Sequence, residues 1–163
     1  MSDDPNILDP EWDVHMPEAP FHARASRVAH RAGSERVGAT LYELDPGGAS
    51  APYHLHHANE ELLVVLDGRP ELRTAEGVRQ LATGAVVAFP AGARGAHALR
   101  NPGPGAVRYV IFSTAVYPDV AEYPDSGATL TLTGPGEGKA FPAGVDVPQF
   151  PLVAAAVAGS WPD

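Results

Sequence analysis

Residues 48–68 read GASAPYHLHHANEELLVVLDG. The stretch carries two imidazoles one residue apart, His54 and His56, then adjacent carboxylates at Glu60 and Glu61, then an apolar run closed by the tight-turn pair Asp67-Gly68. In an extended strand, residues i and i+2 project to the same face about 7 Å apart. His54 and His56 can therefore reach one metal ion together, while His57 points elsewhere. After a bend through Ala58 and Asn59, Glu61 leads an alternation that puts Leu63 and Val65 on its own side. Only one of the two carboxylates can share a face with the imidazoles. Spacing favours Glu61 and leaves Glu60 open, either facing solvent or orienting a ligand. A carboxylate carried into an interior beside LLVVL needs a charged partner or a metal.

Outward from this stretch, turn signals cut the chain into short apolar segments. Residues 39–44 predict a strand ended by Asp45-Pro46-Gly47-Gly48, and residues 52–56 and 61–66 predict two more. Residues 71–74 and 78–81 flank Ala75-Glu76-Gly77 as a hairpin. Residues 85–89 are stopped by Pro90-Ala91-Gly92, and 96–99 and 107–112 lie on either side of the loop 101–105. Short strands at regular spacing predict a sandwich or barrel. His97 opens one of them and offers a third imidazole. Residues 129–133 predict an added strand, followed by a loop over Gly134-Pro135-Gly136-Glu137-Gly138. In the lead-in, Pro5, Pro10, Pro17 and Pro20 discourage continuous helix, and residues 25–36 fit either an edge strand or a short helix. The expected organisation is an N-terminal arm over 1–36, a β-barrel over 37–114, and an extension over 115–163 that packs on the barrel or on a partner subunit.

A chain of 163 residues suits one domain. Gly and Pro, 17 each, make up roughly twice their usual share, which favours turns over long helices. With 20 acidic against 11 basic residues the formal charge of -9 repels a phosphate backbone, so nucleic acid is not an expected partner. Arg24, Arg27, Arg31 and Arg36, with His22 and His30 between them, can still form a local basic patch or simply a solvated, ion-paired face. The sequence has no Cys, which removes disulfides, thiol catalysis and thiolate-held metals. The acidic start MSDDPNILDPEWD lacks the features of a secretory signal, and no apolar run reaches the length of a membrane span. The expectation is a soluble, cytoplasmic protein with no membrane partner.

Three imidazoles and one carboxylate, from His54, His56, His97 and either Glu61 or Glu60, suit Fe, Mn, Ni, Cu, Co or Zn better than Ca. Four protein ligands in an octahedral site leave two positions for water, dioxygen or a bidentate substrate. Glu60, Tyr53, His57 and Asn101 are candidates for orienting the imidazoles. Tyr42, Tyr53 and Tyr109 are candidate polar lining groups. Lys139, the only lysine, lies outside the expected barrel core, which argues against Schiff-base chemistry. A phosphosugar substrate would call for cations at the barrel mouth, and the candidates are Arg69, Arg73, Arg79, Arg94, Arg100 and Arg108.

The stretch 48–68 resembles the first motif of the cupin superfamily, with Gly48, His54, His56, Glu61 and Gly68 at its defining positions. GAVVAFPAGARGAHALRN, residues 84–101, resembles the second through Gly84, Pro90, Gly92, His97 and Asn101, except that four residues, not two, separate Gly92 from His97. Residues 52–68 together with AEYPDSG at 121–127 also resemble an uncharacterised family of bacterial single-domain cupins. The resemblance implies an all-β fold: a single conserved barrel, a double-stranded β-helix of jelly-roll type, with N- and C-terminal extensions. It selects Glu61 over Glu60 and assigns the metal to His54, His56, Glu61 and His97. It implies no further cofactor and does not single out a catalytic residue. The expected activities are those of an oxygenase or isomerase acting on a small organic substrate through a divalent metal, with a non-catalytic small-molecule-binding module as the alternative. Cupins commonly pair, and Trp12, Phe21, Phe141, Phe150 and Trp161 are apolar enough to be buried in a homodimer or against their own barrel.

Overall fold

The structure, a computed structural model, describes residues 4–134 and 137–141. Its strands are short because Gly and Pro turns interrupt every apolar run. In chain order they are β1 (Val14–Met16), β2 (Ala23–Ser26), β3 (Val37–Leu44), β4 (Leu55–His56), β5 (Glu61–Asp67), β6 (Glu71–Thr74), β7 (Gly77–Gln80) and β8 (Val86–Phe89). They continue with β9 (His97–Arg100), β10 (Val107–Thr114), β11 (Asp119–Tyr123), β12 (Ala128–Gly134) and β13 (Glu137–Phe141). One short helix, α1 (Val28–Arg31), and a single 3-10 turn over Ala93–Gly95 complete the regular elements. None of the described helices is long and apolar enough to cross a membrane.

The strands pair antiparallel in three sheets, ordered β1-β2-β3-β10-β5-β8, β13-β12-β11-β4 and β7-β6-β9. Isolated bridges at Ala49↔Arg100 and His54↔His97 join the two smaller sheets into a second layer. A common core lies between the layers: Leu63, Val65, Val107, Tyr109, Leu44 and Phe89 come from the six-stranded sheet, Leu72 and Leu99 from the other. This is an all-β jelly roll. In β5 the alternation sets Glu61, Leu63 and Val65 inward and leaves Leu62 exposed. Burying a Leu-sized side chain contributes about 1.5–3 kcal/mol, so a one-residue slip of β5, which would exchange the two faces, is strongly disfavoured.

Residues 25–36 contain both alternatives that the sequence left open. β2 pairs with β3, and α1 then packs Val28 on the outer face of the same sheet, against Ala39, Leu41 and Val110. Trp12 packs on this second cluster and lies 4.4 Å beneath the Arg24 guanidinium, so it covers its own barrel. Phe150 and Trp161, with Val145, Val147, Leu152 and Val153, lie outside the described residues.

One segment differs from expectation, and a second shows how the longer turn before His97 is built. The predicted loop over 134–138 is partly strand: Gly134 pairs with Glu137, and Gly138 pairs with Leu132. Gly138 serves close strand approach there, because a Cβ at this position would come 2.2 Å from the Thr131 carbonyl oxygen. The second is the longer spacing before His97. The 3-10 turn takes up the additional residues, with Gly92 at φ +82° entering it and Gly95 buried at its end. A Cβ on Gly95 would lie 1.9 Å from the Pro90 carbonyl oxygen, so only glycine fits without displacing backbone.

Gly95→Ala is expected to lower unfolding free energy by about 1–3 kcal/mol, the usual cost of forcing an atom into filled space. Gly105→Ala, where no atom lies within 4 Å of the added Cβ, should stay within about 0.5 kcal/mol. Urea denaturation of the two variants checks this; equal midpoints would show that the turn has room to spare.

Candidate metal centre

The backbone places the imidazoles before any side-chain interaction does. His54 and His97 exchange hydrogen bonds, with the His54 N–H donating to the His97 carbonyl at 3.0 Å and the reverse bond at 2.8 Å. His56 sits in β4 opposite Ala121 of β11, and Glu61 begins β5. His54, His56 and Glu61 each offer a ligand atom within 4.8 Å of the other two. His97 adjoins them: its Nε2 lies 3.5 Å from Glu61 Oε2, and its ring centroid is 4.7 Å from that of His54. His56 Nε2 lies 4.0 Å from Glu61 Oε1. All four residues line one cavity of about 390 Å³.

Each imidazole is oriented from behind. Nδ1 of His54 donates to the Pro52 carbonyl at 2.9 Å, Nδ1 of His97 to the Gly95 carbonyl at 2.9 Å, and Nδ1 of His56 to Asp119 Oδ2 at 2.6 Å. Carbonyl and carboxylate oxygens only accept, so in the neutral rings Nδ1 carries the proton and Nε2 keeps its lone pair. The ring of His97 is further fixed by stacking on Phe89 at 3.7 Å.

Burial holds His97 well below its ordinary range, to about 3, with the neighbouring His54 ring adding to the effect, and burial also lowers His54. Both rings are therefore neutral, the form that can ligate. Burial acts oppositely on Glu61 and raises its pKa. A ligand atom each from His54, His56 and Glu61 lies within reach of one ion, with His97 Nε2 beside Glu61, a donor set of the kind a divalent transition cation takes. The residues present fit a metal of the kind expected from the sequence.

Several expected supporting roles fall elsewhere. Glu60 is exposed. His57 pairs with Glu122 at 2.8 Å, and Tyr53 lies under the Arg73 guanidinium at 4.1 Å. Asn101 is buried, but its amide donates to the carbonyls of Leu44 and Gly105 and so pins the loop after β9. The residue that orients His56 is Asp119, which the sequence reading did not single out. Its carboxylate also accepts from the Ala58 N–H and the Asn59 amide, both at 2.8 Å. Burial works to raise its pKa, but these bonds, with that from His56, outweigh burial and hold it below the usual range. No local pattern marks Asp119, because its partner is 63 residues away.

Of the candidate tyrosines, Tyr42 lines the cavity, while Tyr109 stacks against it at 5.4 Å and is fully buried. Burial, reinforced by the charge of Glu61, pushes the Tyr42 phenol up to about 12, so it stays protonated. None of the barrel arginines considered as mouth cations lines this cavity; Arg27 and His30 do, from the lead-in segment.

Comparison with known proteins agrees with this architecture. The Cupin domain family matches residues 40–113. None of the curated proteins matches the sequence. Among solved structures, a candidate sugar phosphate isomerase from Acidithiobacillus ferrooxidans is 27% identical, covers 85% of this chain and 88% of its own, and superposes with a TM-score of 0.72. A sugar phosphate isomerase of the cupin superfamily from Silicibacter pomeroyi is 22% identical over 74% of this chain and 76% of its own, with a TM-score of 0.70. A polyketide cyclase from Streptomyces resistomycificus is 18% identical over 70% and 80% of the two chains, with a TM-score of 0.56. With both sequence motifs and a jelly-roll core in the same residues, the segment 40–113 is a cupin domain.

Proposed function

We propose that this protein is a metal-dependent isomerase of a small organic compound bearing a hydroxyl beside a carbonyl, with the metal held by His54, His56, Glu61 and His97. The observation that carries the reading is that the four donor residues and the protonated Tyr42 phenol line one cavity of about 390 Å³, large enough for a compound of sugar size. The 27% identity to the Acidithiobacillus ferrooxidans protein, spread over most of both chains, supports isomerisation over oxygenation. A divalent metal at this site supplies Lewis-acid polarisation of the carbonyl and of the neighbouring hydroxyl.

The chain's own groups then divide the remaining work. The imidazoles, locked at Nδ1 by Pro52, Asp119 and Gly95, hold their Nε2 atoms in place without reorganisation. Tyr42, on the cavity wall, is the proton donor of this reading for a substrate oxygen on which negative charge develops, and its high pKa keeps that proton available at neutral pH. Ile111 and Leu132 are apolar parts of the cavity wall and limit the water around the reacting atoms. Isomerisation moves hydrogen between adjacent carbons and requires no external oxidant, so this donor set needs no redox partner.

Protein loaded separately with Mn(II), Fe(II), Co(II), Ni(II) and Zn(II) should interconvert an aldose and its ketose, followed by proton NMR, without consuming dioxygen. Dioxygen uptake with loss of substrate would replace this reading by an oxygenase, and stoichiometric metal without any turnover would replace it by a binding module. Tyr42→Phe is expected to lower kcat about 100-fold or more while leaving metal content unchanged. Asp119→Asn should weaken metal affinity about 10–100-fold, measured by chelator competition, because the carboxylate behind His56 sets both its tautomer and its basicity.

A further inference from the structure

The lead-in segment contributes to the cavity through a charge pattern that the proposed isomerisation does not use. Of its arginines, Arg24 is paired with Glu43, and Arg31 with Glu11 and Asp13. Arg27 differs. Its backbone N–H donates to Asp13 Oδ2 at 2.7 Å, which fixes the start of α1, yet its guanidinium is in no ion pair among the described residues. Arg27 and His30, both from this turn of chain, line the cavity that contains the four metal-binding candidates. α1 is held in place by Val28, packed on Leu41, Ala39 and Val110, so the two side chains stand on a fixed base.

An exposed guanidinium in no ion pair among the described residues, on the wall of the cavity that the four candidate ligands also line, can receive an oxyanion. Its planar fork can donate two parallel bonds to one phosphate or carboxylate, and an imidazole N–H can supply a third. Glu35, on the same wall, opposes an anion and so sets an upper limit on the affinity. Resting on the isomerase reading above, we propose that Arg27 and His30 form an anion subsite, and that the substrate is an acidic hydroxycarbonyl compound carrying a phosphate or carboxylate group in addition to its reacting carbons.

Glucose, glucose 6-phosphate and glucuronate share a skeleton and differ at C6, so their affinities for the Zn(II)-loaded protein, measured calorimetrically at fixed ionic strength, isolate the contribution of the anion. One or both charged compounds should bind at least tenfold tighter than glucose, and the stronger of the two identifies the group. Arg27→Ala should reduce that affinity to the level of glucose without changing zinc stoichiometry. Arg27→Lys, which keeps charge but loses the fork, should fall between, and Glu35→Gln should tighten binding of the charged compound. Equal affinity for all three compounds, or a preference that survives Arg27→Ala, overturns the subsite while leaving the isomerase reading intact. If none of the three binds, the failure belongs to the isomerase reading, and the subsite is decided by titrating metal-free protein with inorganic phosphate and with acetate. Saturable binding lost in Arg27→Ala upholds it; no Arg27-dependent binding of either ion overturns it.

Discussion

The pair of backbone hydrogen bonds between His54 and His97 is the constraint on which the rest of the structure depends. With the Ala49↔Arg100 bridge it joins the two small sheets into the second layer of the jelly roll. It also brings together imidazoles 43 positions apart in the chain through main-chain atoms that no rotamer change can disturb. The 3-10 turn over Ala93–Gly95 exists in the service of that bridge. The chain between Gly92 and His97 carries additional residues, and winding them tightly lets His97 arrive in register. Gly95 then does two things at once: its missing Cβ admits the Pro90 carbonyl, and its own carbonyl accepts the hydrogen bond from His97 Nδ1–H.

A second constraint is electrostatic. Placing Glu61 and three imidazoles inside an otherwise apolar barrel is costly, and the fold manages that cost by separating the two nitrogens of each ring. Nδ1 is satisfied by an oxygen on the outer side, while Nε2 is left for the cavity. Asp119 has a further consequence. Through Ala58, Asn59 and His56 it ties β11 to the bend between β4 and β5, so the element that orients one imidazole also fixes the approach to Glu61. The C-terminal strands are thereby part of the site's support as well as of the sheet.

The parts of this arrangement visible in the sequence are those with short-range signatures. His54 and His56 announce themselves by strand periodicity, and the alternation from Glu61 to Val65 gives the inward face directly; both are local properties of an extended backbone. The choice of Glu61 over Glu60 and the assignment of His97 required the motif resemblance, because a two-residue ambiguity and a variable turn length both lie below the resolution of periodicity. Asp119 was beyond reach for a different reason: it acts on His56, 63 residues away in the chain, and stands in no pattern that distinguishes it from a surface charge. The segment 134–138 misled because glycine marks close strand contact as readily as it marks a loop.

The most direct measurement is an anomalous-scattering crystal structure of protein grown with a divalent transition metal. The account predicts a single strong peak in the barrel cavity with the Nε2 atoms of His54, His56 and His97 and a Glu61 oxygen at about 2.0–2.2 Å. A cavity without a peak, or a metal held elsewhere with Glu61 and the three imidazoles left uncoordinated, would contradict it.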